Sequence, residues 1–287
     1  MAHAVARRRR ANPVKVANRA IFYILVIMVV AVVLFPVYWM VLSAIQPARL
    51  SMRYPPPFFP QAINLTPFQQ LFRDYPVVTW VTNSLFISIL STVLCLALAI
   101  LGGYALSSLR WRGRNVFGVS LFFTQMLPEA LIIIPIFIIL RQLRLLENLP
   151  AVSLVNTAFV LPIGIWILKG VFDAVPREIR EAAQVDGCDE WSVLWRIVVP
   201  LSLPGLVAVG VVAFFYAWNE FLFTSTMLTT DAVRPAAVGL ATLRSQMETP
   251  VERILAASML FSAPPVLFYI VMQRYIVSGL TAGAVKG

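Results

Sequence analysis

The chain has 287 residues, of which 60% are hydrophobic and 13% charged, and a mean hydropathy of +0.82. A soluble domain of this length carries roughly 25% charge, so the composition excludes a soluble enzyme on an anchor and indicates one integral membrane domain spanning residues 1–287. The net charge of +10 reads as basic loops of a membrane protein rather than a nucleic-acid surface. The single histidine, His3, leaves no set for a histidine metal site or a catalytic triad. Cys95 lies in an apolar run and Cys188 in a polar one, which argues against a disulfide between them.

In chain order, residues 1–20 form a basic tail containing Arg7, Arg8, Arg9, Arg10, Lys15 and Arg19. Six apolar stretches long enough for a membrane helix follow: Ile21 to Ile45, Asn83 to Leu109, Asn115 to Leu140, Asn148 to Leu168, a part of Ile197 to Thr230, and Ile254 to Gln273. The first is too long in its apolar core for a cleavable signal peptide and has no small-residue cleavage site after it. The fifth exceeds one span, and its beginning, up to Pro204, belongs with the polar segment before it. Six spans place both termini on one side. With that side inside, roughly two thirds of the Lys and Arg residues are cytoplasmic, as the positive-inside rule requires. The expected fold is all-α, six transmembrane helices with a cytoplasmic loop between spans four and five.

The outer loop from Gln46 to Thr82 carries Pro55, Pro56, Pro57 and Pro60, which favour an extended path. Its aromatics Phe58, Phe59, Phe68, Phe72 and Tyr75 suit the membrane surface or a partner. Prolines also recur within the spans at 36, 128, 135, 162, 264 and 265. Each removes a backbone donor and kinks or breaks its helix, a pattern suited to a bundle that lines a pathway.

Residues 177–200 interrupt this hydrocarbon with charge. Arg177 to Asp186 reads as a short helix entered at Pro176, with Ile179, Ala182 and Ala183 on one side. Gly187 falls where a left-handed C-cap belongs. Asp189 is placed to cap a second helix with Val193, Leu194, Ile197 and Val198 as its apolar stripe. Pro200 and Pro204 then break the chain before the fifth span. A helix this short is marginal alone in water, so the segment is expected to dock on another protein.

Those residues resemble a known family. Glu181-Ala182-Ala183, then Gly187, Ile197 and Pro200 match the "EAA…G…I.LP" loop of bacterial ABC-importer permeases, with Val199 where the family usually has Leu. The stretches "MLPEALIIIPIF" from Met126, "AWNEFLF" from Ala217 and the tail "GLTAGAVKG" (279–287) are similar to MalG-like permeases of carbohydrate importers. The resemblance covers essentially all six spans. It implies the type I ABC importer permease fold in the bacterial cytoplasmic membrane, with both termini cytoplasmic. It also implies a coupling helix in which Glu181, Ala182, Ala183, Asp186 and Gly187 contact an ATPase subunit, and a tail contact through Thr281, Ala282 and Gly283. The implied partners are a second permease, two ATPases, an extracytoplasmic solute-binding protein docked on the outer loops, and a sugar. The chain has no G-x-x-x-x-G-K-[ST] loop, so ATP and Mg belong to the ATPases and this chain is expected to bind no cofactor and catalyse no reaction.

Glu129 and Glu220 are the charges within the spans. Intramembrane carboxylates face a protein interior or water. Trp218, Asn219 and Glu220 pair an aromatic face with hydrogen-bonding groups, as a sugar pathway does. The competing reading is structural, with these groups bonded inside the bundle or at a partner permease. Three other functions compete with sugar import. They are an importer for a glycerol phosphate or polyol on the same scaffold, a secondary transporter, which calls for duplicated halves, and an intramembrane enzyme, which calls for a nucleophile or metal ligands that the sequence does not offer.

Overall fold

In hydrocarbon, backbone polar groups are satisfied only within a helix or a closed barrel, and the apolar runs of this chain form helices. The computed structural model describes residues 13–51, 53–245 and 249–284. Helix α1 (Pro13–Ile45) is followed by the short α2 (Ala48–Ser51) and α3 (Thr66–Asp74). Then come α4 (Val77–Ser107), α5 (Arg114–Gln125), α6 (Glu129–Gln142) and α7 (Leu149–Asp173). The polar segment holds α8 (Arg177–Val185), α9 (Glu190–Val193), a π-helical turn (Leu194–Val198) and α10 (Val199–Leu201). The chain continues through α11 (Leu203–Asn219), α12 (Leu222–Met227), α13 (Ala236–Ser245) and α14 (Val251–Ala284).

Four helices are each long and apolar enough to cross a membrane, and two bent pairs raise the number to six. The third expected span is one of these pairs rather than a single helix: α5 and α6 meet at 98°. Pro128 causes the break. Its ring has no N–H to continue the α5 ladder, and its ψ of 128° sends the chain out in extended form before Glu129 restarts the helix. Pro135, Pro162, Pro264 and Pro265, by contrast, lie inside continuous helices. The second pair bends by 80° between Leu201 and Leu203, at the break that Pro200 and Pro204 signal in the sequence.

The core is built on α4, α7 and α11. Helices α4 and α7 run parallel: Ser91 Oγ donates to the Ser153 carbonyl at 3.0 Å near one end, and Gly103 lies against Leu168 near the other. Helix α11 returns antiparallel, with Gly205 against Val171 and Gly210 against Leu96. At Gly164 the three meet: an added Cβ there would sit 3.2 Å from Cys95 Sγ, 3.2 Å from Val209 and 3.3 Å from Ala99. Only a missing side chain lets the helices approach this closely. One apolar cluster joins this core to α8 and the π-helical turn through Ala183, Val193, Leu194 and Val198. At the opposite end, Leu71, Trp80, Leu243, Ala257 and Phe261 form a second cluster tying α3, α4, α13 and α14 together.

Helix α1 behaves differently. Its apolar side chains from Ile21 to Val37 are exposed on every side within this chain, Ile27 at 66% and Val32 at 68%. A stripe that is apolar all round belongs in lipid or against other membrane helices.

Candidate coupling site and translocation pathway

The polar segment is a helix, a glycine turn and a second helical stretch, as its spacing predicts. At the end of α8 the Cys188 N–H donates to the Ala183 carbonyl at 2.9 Å and the Gly187 N–H to the Gln184 carbonyl at 3.0 Å. This is a Schellman closure, and Gly187 has the left-handed φ of +87° that it demands. No atom lies within 4 Å of where a Gly187 Cβ would be, so the glycine is required by backbone conformation alone. Asp189 Oδ1 then accepts from the Ser192 N–H at 2.9 Å and caps α9. The Ser192 hydroxyl, and after it the Ser192 N–H, hold the exposed Asp189 carboxyl below the ordinary carboxylate range. Val193, Leu194 and Val198 are buried and Ile197 half-buried, the expected stripe. The π-helical turn is an addition. Pro200 cannot donate to the Arg196 carbonyl, and the ladder slips, the Val199 N–H reaching the Leu194 carbonyl.

Two side-chain contacts fasten the segment to the bundle, through Tyr104 and Ser108, and a third, between Gln184 and Glu190, ties its two halves together. The Tyr104 hydroxyl donates to Glu190 Oε2 at 2.5 Å, Gln184 Nε2 donates to Glu190 Oε1 at 2.9 Å, and Arg180 donates to Ser108 Oγ. The sequence does not mark Tyr104, Ser108, Arg180, Gln184 or Glu190 as site residues. The Tyr104–Glu190 and Arg180–Ser108 partners are far apart in the chain, and periodicity carries no signal for such pairs.

The predicted coupling residues divide between two faces. Ala183 is 7% exposed and packs on the core beside Val193 and Leu194. Glu181, Ala182, Asp186 and Gly187 are exposed, and Val185 is 88% exposed. Ala183 thus seats the helix, while its neighbours face outward. Thr281, Ala282 and Gly283 lie in the last turns of α14, but their side chains fall outside the described residues, as do residues 285–287.

Of the four pathway candidates, the structure brings Glu129 and Glu220 near each other around Tyr216. Glu129, half-buried at the first turn of α6, accepts from the Tyr216 hydroxyl at 2.7 Å. It thereby ties the bent third span to α11, and its charge sits at the favourable end of the α6 dipole. Trp218 is 7% exposed and stacks on Phe214, which in turn stacks on Phe268 of α14 at 4.0 Å. Asn219 is exposed and donates to the Phe215 carbonyl at 2.8 Å. Glu220 is 7% exposed and accepts from the N–H groups of Phe223 at 2.7 Å and Thr224 at 3.0 Å, satisfying the orphan donors of α12. Glu129 is half-buried and Asn219 exposed, while Trp218 and Glu220 are buried.

The end opposite α8 is closed by Glu147. Its carboxylate accepts from the N–H and hydroxyl groups of both Thr229 and Thr230, and its own N–H donates to the Met227 carbonyl at 3.0 Å. Asn83 Nδ2 donates to the carbonyls of Ala232 and Arg234, and Ser84 Oγ accepts from the Ala236 N–H, so residues 228–236 are pinned to α4 as well.

A polytopic helical membrane protein with a short polar helix, α8, seated on the bundle at one face and bare at the other fits a membrane transport permease. Residues 96–281 match the family described as "Binding-protein-dependent transport system inner membrane component", and the chain belongs to that family, as a multi-pass inner-membrane protein. It is 35% identical to the inner membrane ABC transporter permease protein YcjP of Escherichia coli over 94% of this chain and 97% of that one. It is 34% identical to the diacetylchitobiose uptake system permease protein DasC of Streptomyces coelicolor over 88% of this chain and 92% of that one. It is 31% identical to the trehalose transport system permease protein SugB of Mycobacterium tuberculosis over 94% of this chain and 99% of that one. In fold it resembles a chain of a bacterial ABC transporter involved in the import of the polysaccharide alginate, with a TM-score of 0.76 at 22% identity over 93% of this chain and 99% of that one.

Proposed function

We propose that this chain is a permease subunit of an ATP-driven importer that moves a di- or oligosaccharide across the inner membrane by alternating access. The observation that carries the coupling role is the exposed ridge of Glu181, Ala182 and Asp186 around the Gly187 turn, on a helix seated by Ala183 and held by Glu190. A rigid, bare, short helix outside the bundle suits a groove in a moving partner, and an ATPase subunit is that partner. The α8 end and both termini then face the cytoplasm, in keeping with the arginine bias. The tail residues Thr281, Ala282 and Gly283 provide a second contact. ATP and Mg bind to the ATPase pair, and this chain binds no cofactor and catalyses no reaction. A second permease completes the pathway and covers part of α1, and an extracytoplasmic binding protein docks on the opposite end. Within the pathway, Glu129 and Asn219 face the solute, with Trp218 and Glu220 positioning the α11 end behind them.

Sugar import is supported by the relatives named for uptake of diacetylchitobiose and trehalose. The test is co-expression with the cognate permease and ATPase, reconstitution in vesicles, and a screen of sugars against the binding protein. ATP-dependent uptake of a di- or oligosaccharide is the expected result. Uptake restricted to a glycerol phosphate or polyol would replace the solute. Uptake without any ATPase subunit would overturn the reading in favour of a secondary transporter.

A further inference from the structure

Four arginines share one cleft at the α8 end. Arg110 comes from the turn between α4 and α5, Arg114 from the start of α5, and Arg177 and Arg180 from α8. The cleft has a volume of about 470 Å³. Two carboxylates, Glu181 and Glu190, also line it. Glu190 already has both oxygens bonded, to Tyr104 and Gln184. Among the described residues the ion pairs are Arg73 and Arg253 with Asp74, Lys169 with Asp173, and Arg234 with Asp231. None involves an arginine of the cleft. Glu181 and Glu190 in the lining and Asp173 near Arg114 offset part of this charge, and the excess of guanidinium groups presents donor forks that match a phosphate.

A second cavity adjoins the first. It measures about 190 Å³, is lined by Leu101, Leu109, Trp191 and Leu194, and shares Tyr104, Leu109 and Glu190 with the cleft. Its lining is apolar except for the shared groups. Both cavities lie where α4 leaves its apolar run; Trp191, 59% exposed, lines the second, and Trp111, 41% exposed, follows Arg110 in the chain. Exposed tryptophans mark the headgroup level of a bilayer. A basic cleft continuous with an apolar slot at that depth has the outline of one lipid.

We propose that the arginine cleft binds an anionic phospholipid. The phosphate lies among Arg110, Arg114, Arg177 and Arg180, and the start of an acyl chain occupies the slot beside Trp191. The lipid bridges the α4–α5 turn to α8, so the seating of the coupling helix depends on the charge of the surrounding membrane. This rests on the proposed placement of the α8 end at the inner membrane surface. Recovery of the complex with its ATPase subunits tests that placement separately.

The experiment uses the assembled importer in vesicles of phosphatidylcholine alone or with phosphatidylglycerol, and native mass spectrometry of the complex with phosphatidylglycerol. Solute-stimulated ATP hydrolysis is expected to rise with phosphatidylglycerol. Arg110→Gln and Arg177→Gln are each expected to raise the half-maximal phosphatidylglycerol requirement about fivefold and to reduce lipid retained on the complex. Arg110→Lys and Arg177→Lys should keep most of both, which separates charge from folding. Inorganic phosphate added to phosphatidylcholine vesicles should not substitute. Equal stimulation by inorganic phosphate would overturn the lipid assignment, as would unchanged retention in both Gln variants. So would Gln variants that shed the ATPase subunits while holding phosphatidylglycerol as well as the parent does, since the cleft would then face an acidic protein surface.

Discussion

Tyr104 and Glu190, 86 residues apart, are joined by a hydroxyl–carboxylate hydrogen bond of 2.5 Å. Tyr104 lies in the last turn of a bundle helix and Glu190 begins the second half of the polar loop, so under the proposed coupling role this bond is one route by which loop motion would reach α4. In Tyr104→Phe, Glu190 is exposed enough to rehydrate, and the loss is about 1 kcal/mol. That is a factor of about five in the population of the seated loop. The expected outcome is a comparable fall in solute-stimulated ATP hydrolysis, with faster hydrogen exchange over residues 177–200 and normal assembly. Unchanged hydrolysis and exchange would remove the bond from the coupling route.

Gly187 offers a test that separates backbone conformation from contact. Its φ is +87°, and a β-carbon added there would have no atom within 4 Å. Substitution therefore costs only left-handed strain, about 1–2 kcal/mol for an ordinary residue. Asparagine tolerates that region better than alanine, and a β-branched residue tolerates it worst. ATPase subunits retained on co-purification should therefore fall in the order Gly, Asn, Ala, Val. Retention that ignores this order, or is equal across the series, would show that the Schellman turn is not what presents α8.

The parts legible in the sequence are those in which one local rule decides. Residues Gly187, Asp189 and Pro200 announce their turn, cap and break by residue type, and the structure uses each in that way. Pro128 was legible as a disturbance, but whether a membrane proline bends a helix or ends it depends on the neighbours that satisfy the freed carbonyl. Pro135 and Pro162 remain inside helices while Pro128 divides two at 98°. Trp218 and Glu220 look alike in sequence to any polar-aromatic site, and only the stack on Phe214 and the bonds to Phe223 and Thr224 show their engagement. Ala182 and Ala183 are adjacent and chemically identical, yet one faces out and the other is 7% exposed.

Glu147 makes the end opposite α8 sensitive to acid. Partial burial works against its charge, but the hydrogen bonds from Thr229 and Thr230 outweigh that and hold its carboxyl below the ordinary value. A depressed carboxyl contributes stability that is fully present above its unfolded value, about 4.3, and is lost as pH falls through the lower folded value. Exchange protection of residues 228–236 should be flat at neutral pH and collapse only below about pH 4. Glu147 also has a left-handed φ of 55°, so the threonine contacts hold against backbone strain. Glu147→Gln should show low protection at every pH, with the acid step gone. A Gln variant that keeps both the protection and the step would place the acid response elsewhere.

Glu220 distinguishes a structural carboxylate from a solute-binding one. Its two oxygens serve the N–H groups of Phe223 and Thr224 at the start of α12. Glu220→Ala leaves both donors buried without a partner, at about 1–3 kcal/mol each, and should lower the thermal midpoint and the yield of assembled complex. Glu220→Gln keeps one carbonyl acceptor and should assemble at an intermediate level. Uptake per assembled complex, measured as KM and maximal rate, should then be close to the parent for Glu220→Gln, because the side chain faces protein and not the pathway. Asn219→Ala removes an exposed amide that bonds to its own helix, so its assembly should be normal and any change should appear in KM. A large KM shift in Glu220→Gln with normal assembly would move Glu220 into contact with solute. An unchanged KM in Asn219→Ala would take Asn219 out of it.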